Sequence, residues 1–368
     1  MLEKFIKAKI NFDYYTCYNK TLFYINIVSK FLILLLQKKK FLFDNPAKPL
    51  FTNSKKFINL IAFKKYYYGN KNKNKKFLII NRSPGSGLFS NLNFVLNFIY
   101  LAKKKKFIPI IDMENFPTIY NENKKINKTN NSWEYYFKKL NKFKLADIYK
   151  SQNVYFTNSH FLPGMSFDLT IPKLRKILKQ IKFKQDLIYE ANNYFNKNFN
   201  KEDKILGVHF RGSTYKIARG HQLPATIKIM SEQIKYLIDK YSYNKIFLVT
   251  EEQKYLEAIK KEFKKKCYFF PSFRMNKKDS FDIYPRKNHR YKLGYEAAIE
   301  AIILSKCQGL TYVKSNLILA AMSLSKIKQS YHEILLGFNS RNKFIARWYW
   351  YIKSLLPRFL GGLVNKNY

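Results

Sequence analysis

Two patterns of hydrophobic and polar positions take turns along this chain. Short, nearly unbroken apolar runs stand at 77–80, 107–111, 205–208, 245–250, 267–270 and 310–313. Such runs suit strands buried on both faces of a parallel sheet. Between them lie segments with apolar residues at helical spacing: 91–101 (Leu92, Val95, Leu96, Ile99), 226–241 (Ile229, Ile234, Leu237, Ile238), 255–263, 294–304, and a helix opening at Leu317. A long amphipathic pattern also runs from 172 to 200, and Pro172 suits a first helical turn. Shorter strands and loops fill 151–156 and 168–171. Pro109 sits awkwardly in the second apolar run, because proline cannot donate to a strand ladder. Strand and helix in alternation predict an α/β fold with parallel sheets and right-handed crossovers.

The chain has 368 residues, enough for two domains of ordinary size. The turn at 200–203 marks the expected boundary between units at 76–200 and 201–340. An extension precedes them at 1–75 and a tail follows at 341–368. Within the extension, 22–36 is strongly apolar but contains Lys30 and is followed by lysines at 38–40. A membrane span needs about 20 apolar residues, so this run reads as a core-packed or interfacial helix rather than an anchor. It also begins too far into the chain for a plain signal peptide. The lysines behind it favour the inner, anionic face of a membrane. The tail is basic and aromatic: Trp348, Tyr349, Trp350 and Tyr351, then Leu355, Leu356, Phe359 and Leu360. It suits a membrane interface or packing back onto the first unit.

Composition changes this picture in one respect. Lys and Arg number 69 against 24 Asp and Glu, a net charge of +45. Lys, Asn, Ile, Phe and Tyr are over-used throughout, as in a chain whose codons are biased toward A and T, so much of the charge has a mutational origin. A surface this basic still attracts polyanions, although nucleic acid is the less favoured substrate. The three cysteines, Cys17, Cys267 and Cys307, form no CxxC pair and fit a reducing cytoplasm. With five histidines and no HExxH, a zinc site is not indicated.

The chemistry concentrates at 204–216, KILGVHFRGSTYK. A buried strand runs straight into His209, Arg211, Gly212, Ser213 and Thr214. Arginine forks to two phosphate oxygens at once, and an amide at Gly212 can add a donor. On this stretch alone Arg211 is equally a phosphate clamp or a structural arginine paired with a carboxylate. The loop at 82–90, RSPGSGLFS, joins a strand to a helix, which places amides and a helix N-terminus beside a ligand. Asp112 and Glu114 close the second strand as a paired-carboxylate candidate for a divalent ion; the plainer reading is an acidic strand end. Polar residues recur at successive strand ends: His209 and Arg211, Thr250 and Glu251, Arg274, Ser315 and Asn316. Four such ends on one sheet edge predict one shared cleft.

In this order the motifs resemble the fucosyltransferase superfamily that includes the α1,6-fucosyltransferases, the nodulation fucosyltransferases and the protein O-fucosyltransferases. The carriers are GSGLFSN (85–91), GVHFRGS (207–213), LVTEE (248–252), LGYEAAIEAIILSKC (293–307) and the pair Ser315 and Asn316. DMENFPTIYN (112–121) and NSWEYYF (131–137) are similar to segments of bacterial members. The resemblance covers about 76–338. It implies a GT-B-type fold, two Rossmann-like domains facing a cleft, here with N- and C-terminal helical extensions. It also implies inverting transfer of fucose from a GDP-sugar donor to a glycan or other hydroxyl, with no cofactor or metal required.

By that resemblance Arg211 holds the β-phosphate and His209 lies against the donor. Gly212 and Ser213 flank the clamp, and Asn91 faces sugar and acceptor. Ser315 and Asn316 meet phosphate or ribose; Thr250, Glu251 and Glu300 line the nucleotide side with Arg274. Asp112 is the leading base candidate, with Glu114 and Asn91 behind it. Thr214 departs from the family, where many members have Asp shortly after this arginine. The rival readings are a metal-dependent glycosyltransferase using Asp112 and Glu114, and a basic protein that binds nucleic acid or anionic membrane without catalysis.

Overall fold

The structure, a computed structural model, describes residues 63–157, 171–275 and 280–364. The apolar run at 22–36 and most of the N-terminal extension lie outside the described residues.

β1 (Phe77–Ile80) is the middle strand of a three-stranded sheet, between β2 (Ile108–Ile111) and β3 (Val154–Phe156), in the order β2-β1-β3 and parallel throughout. All four β1 residues are buried, which accounts for the unbroken apolar run. Pro109 is tolerated because β2 is an edge strand, paired with β1 alone. α1 (Leu88–Lys104) starts three residues before the expected 91, since Leu88 and Phe89 are also buried.

The second sheet has five parallel strands: β4 (Ile205–His209), β5 (Lys245–Val249), β6 (Cys267–Tyr268), β7 (Gly309–Tyr312) and β8 (Ser330–Glu333), in the order β6-β5-β4-β7-β8. β8 carries no apolar run. Its residues, SYHE, alternate between half-buried and exposed on the sheet edge, so the pattern gave no sign of it. β6 is two residues long, shorter than the expected 267–270, because only Cys267 and Tyr268 pair with β5. Chain order reverses between β4 and β7: β5 and β6 lie to one side, β7 and β8 to the other. That reversal opens a crevice at the carboxyl ends of β4 and β7, the usual ligand position in open α/β sheets.

The amphipathic stretch at 172–200 is two helices, α2 (Ile171–Leu178) and α3 (Gln185–Asn198), separated where Phe183 bridges to Phe137. Both lean on the second unit. Arg175 Nη2 of α2 donates to the Met322 carbonyl at 2.9 Å, and Tyr194 Oη of α3 donates to the Phe269 carbonyl at 2.7 Å. Around the second sheet run α4 (Ile227–Tyr241), capped by Thr226, α5 (Gln253–Phe263), α6 (His289–Leu304) and α7 (Asn316–Leu324). One apolar cluster joins α1 with α6 and α7, so the two units share a core. Polar ties cross the same junction: Asn93 Nδ2 donates to Asn316 Oδ1 at 3.2 Å, and Tyr136 Oη to the Tyr291 carbonyl at 3.0 Å.

The tail forms α8 (Lys343–Leu355), whose first amides are capped by Asn342 Oδ1. Among the described residues it packs on the second unit. Trp350 is buried beside Leu223 and Leu363 and donates Nε1–H to the Pro224 carbonyl at 2.7 Å, which fixes the helix to the second unit. Among the described residues, no helix is long and apolar enough to cross a membrane.

Candidate active site

Between the two units lies a cavity of about 480 Å³, within the range of small-molecule sites. The first unit contributes the loop after β1 and the start of α1, with Ser86, Gly87 and Ser90, together with Tyr120. The second unit contributes His209, Arg211, Thr214, Thr250, Glu251, Glu300 and Asn316 from successive strand ends and α6. Three of the four polar strand ends thus meet in one cleft, and Arg274 does not.

The loop conformation explains part of the 82–90 motif. Gly85 has φ +73°, and a Cβ there would sit 2.7 Å from Asn91 Oδ1 and 2.9 Å from the Arg82 carbonyl. Glycine is needed for the turn itself. The amide of Ser86 donates to Asn91 Oδ1 at 3.0 Å. Asn91 is buried and does not line the cavity; it shapes the loop that does. Gly87 at the start of α1 has no side-chain cap, and the first helical amide, Leu88, donates to Tyr120 Oη instead.

Arg211 and Arg274 leave the same sheet and have different fates. The Arg274 guanidinium donates to three backbone carbonyls, Thr250 at 3.1 Å, Ser272 at 2.8 Å and Phe270 at 2.8 Å, with its side chain 4% exposed. It braces the turn after β6 and does not reach the cavity. Arg211 lines the cavity with its side chain 21% exposed. Its charge meets Glu251 loosely, 3.5 Å from Nη2 to Oε2, and its Nε is buried without a hydrogen-bond partner. The guanidinium lies 3.5 Å from the centre of the Tyr215 ring, a stacking that holds it flat. Arg211 thus both pairs with a carboxylate, Glu251, and lines the cavity.

His209 is buried at the end of β4, its Nδ1 3.4 Å from Ser315 Oγ. Burial first, and then the Arg211 charge, hold its pKa well below the usual histidine value, so it is neutral near pH 7. Ser315 also caps α7, accepting from the Ile318 amide at 3.3 Å. Asn316 opens that helix in the cavity wall. Thr214 lines the cavity. Gly212 does not line it. A Cβ at Gly212 would lie 2.4 Å from Glu252 Oε1, so the glycine packs this turn onto Glu252. Ser213 opens the single turn Ser213–Lys216.

Glu300 faces the cavity from α6 and accepts from Ser272 Oγ at 2.6 Å. Burial raises its pKa to about 7 against the opposing charge of Arg274. A carboxyl raised on folding adds stability that is full below its ordinary pKa and fades as pH climbs through the raised one. Wild type should therefore lose melting temperature relative to Glu300→Gln as pH rises from about 4.5 to 7. Parallel melting curves across that window would contradict the raised value.

The acidic pair from β2 is corrected by the structure. Asp112 is fully buried and outside the cavity. Its Oδ1 accepts the amides of Glu114 at 3.1 Å and Asn115 at 2.9 Å; its Oδ2 accepts Asn115 Nδ2 at 2.9 Å and Tyr149 Oη at 2.7 Å. Such a carboxylate is a turn brace, not a base in reach of an acceptor. Glu114 lines a separate groove with Lys125, Glu134 and Lys139. The two cannot together hold a cation in the cleft. Among the described residues, no group of three or more His, Cys, Asp or Glu is placed to hold a metal. Tyr215 and Tyr120 were not among the sequence candidates. The first stacks on the clamp, and the second accepts the Leu88 amide at 2.7 Å. Nothing distinguishes them from the other 27 of 29 tyrosines in the sequence.

No family model matches the chain. Over 89 residues it is 32% identical to GDP-fucose protein O-fucosyltransferase 2 of Plasmodium berghei (strain Anka); that stretch is 24% of this chain and 18% of the relative. The match therefore spans less than a fifth of the curated relative. Among solved structures, NodZ alpha-1,6-fucosyltransferase soaked with GDP-fucose aligns over 68% of this chain and 93% of its own, at TM-score 0.47 and 15% identity. NodZ from Bradyrhizobium aligns over 68% and 94%, at TM-score 0.45 and 15% identity. POFUT1 in complex with GDP aligns over 71% and 99%, at TM-score 0.42 and 10% identity.

Proposed function

We propose that this chain is an inverting glycosyltransferase that moves fucose from GDP-fucose to a hydroxyl of a glycan or protein acceptor. The observation that carries this is Arg211, an unsaturated guanidinium held flat at the topological switch point of a parallel sheet and facing a second unit across a cavity. A nucleotide lies along the second unit, with its diphosphate at Arg211 and the start of α7, and its base and ribose toward Thr250, Glu251 and Glu300. Ser315 acts through His209 and the cap of α7. Its own hydroxyl is committed to both.

Departure of GDP breaks the bond from the anomeric carbon to the β-phosphate oxygen. The electron pair goes to that oxygen and positive charge develops on the sugar ring. A cation already in place favours this state over the bound substrate, so it speeds the step rather than merely tightening binding. The acceptor oxygen then forms its bond to the anomeric carbon on the opposite face, and its proton passes to solvent water. In that half of the cavity the first unit offers hydroxyls from Ser86, Ser90 and Tyr120, but no carboxylate. Leaving-group stabilisation is the main catalytic device in this reading, and no residue is assigned as base.

A thermal-shift panel of nucleotides tests the donor class. A ligand at a hundred times its Kd stabilises by about 2.7 kcal/mol. GDP should raise the melting temperature, with EDTA present, where UDP and CMP do not. Equal shifts with all three would leave a generic anion site, and no shift with GDP would remove the proposal.

A further inference from the structure

The face of α8 turned away from the protein is apolar. Phe344, Trp348, Tyr351, Ile352 and Leu355 are 67, 66, 45, 54 and 81% exposed. At 3.6 residues per turn they fall on roughly a third of the helix circumference. Phe359 and Leu360, 65 and 59% exposed, extend the patch beyond the helix. The opposite face is fully used, with Ala346 and Trp350 buried against the second unit. A run of large exposed side chains on one seated helix marks an interaction surface, not scattered surface residues.

Charge identifies what covers it. From Ile334 to the last residue there is no Asp or Glu, while Arg341, Lys343, Arg347, Lys353, Arg358 and Lys366 are all cationic. Lys343, Arg347 and Arg358 are exposed beside the apolar face. A second copy of this chain would bring the same cations against these, which works against self-association through this patch. Exposed Trp and Tyr among aliphatic residues, bordered by cations and free of acids, match the interface of an anionic bilayer. The helix has 13 residues, too short to cross hydrocarbon.

We infer that α8 and the turn after it form an interfacial membrane-binding face, lying flat on an anionic lipid surface. This goes beyond the transferase reading and stands independently of it. The docked helix would bring the membrane close to the clamp, because its inner face rests on the loop that follows Arg211. Lys216 lies 5.0 Å from the Trp350 ring, and Asn339 Nδ2 donates to both the Lys216 and Ala346 carbonyls at 3.1 Å.

The test is co-sedimentation of the full chain with vesicles of phosphatidylcholine alone or mixed with phosphatidylglycerol. The chain should partition to the mixed vesicles, and added salt should weaken the partition. Trp348→Asp with Leu355→Asp should lower it by about tenfold or more, because both apolar anchors are lost. Arg347→Gln with Arg358→Gln should lower it on the order of thirtyfold, from about fivefold per cation near an anionic surface. Tyr189→Asp, on the exposed face of α3, controls for charge and should leave it unchanged. The GDP-induced melting shift, read on every variant, separates a failed fold or failed donor site from failed docking. No sedimentation with mixed vesicles, or equal loss with Tyr189→Asp, overturns the inference. So does a concentration-dependent dimer in solution that the Trp348 and Leu355 substitutions abolish.

Discussion

Replacing Arg211 with Ala should lower the proposed fucose transfer by about a hundred- to a thousandfold while the protein stays folded. The magnitude is that of removing one preorganised donor from a developing anion. Survival of the fold follows from the surroundings. Among the described residues the acid paired with Arg211 is Glu251, loosely at 3.5 Å and with both side chains partly exposed, so losing the pair costs the fold little. Arg211→Lys should recover only part of the rate, since an ammonium cannot fork to two phosphate oxygens or lie flat on Tyr215. Turnover and melting temperature measured on both variants check this. A comparable fall for Arg274→Ala in turnover at saturating donor, with unchanged stability, would show that the wrong arginine has been assigned.

The second large effect lies just beneath the clamp. Lys216 Nζ lies 2.8 and 3.2 Å from the two oxygens of Glu252, and neither side chain is more than 14% exposed. The pair ties the turn after Arg211 to the start of α5, with Lys216 also 4.8 Å from the Tyr255 ring. Glu252→Ala leaves a buried ammonium without its carboxylate, which typically costs about 3–5 kcal/mol. For a chain of this size that is a fall in melting temperature on the order of 10 °C. Replacing both partners, Lys216→Met with Glu252→Leu, should recover most of the loss, because a buried pair contributes little beyond a well-packed apolar one. A double-mutant cycle reads the coupling directly. Equal instability of the single and double variants would mean that packing around Gly212, rather than charge pairing, holds the turn.

The strands and helices were legible where burial is one-sided or complete. β1, β4, β5 and β7 are fully or almost fully buried, so their residues are largely apolar. β8, a half-exposed edge, left no such trace. The cleft was legible because strand ends of a parallel sheet share an edge, so polar residues at Arg211, Thr250 and Asn316 had to converge. What the sequence pattern cannot convey is the direction of a side chain beyond its strand. Asp112, Asn91 and Arg274 stand at the expected positions, but each turns inward to satisfy backbone or turn donors and acceptors. The same holds for the tail: its aromatic and basic composition was evident, whereas its seat on Pro224 depends on one indole hydrogen bond across the fold.

Calorimetric titration of GDP into the wild-type chain and into Arg211→Ala, side by side with EDTA present, tests the central claim most directly. A diphosphate gripped by Arg211 predicts one site in the wild type and an affinity at least about tenfold weaker in the variant, in line with the loss of a charge-assisted hydrogen bond. Equal affinities in the two proteins would place the nucleotide away from Arg211 and contradict the site proposed for it.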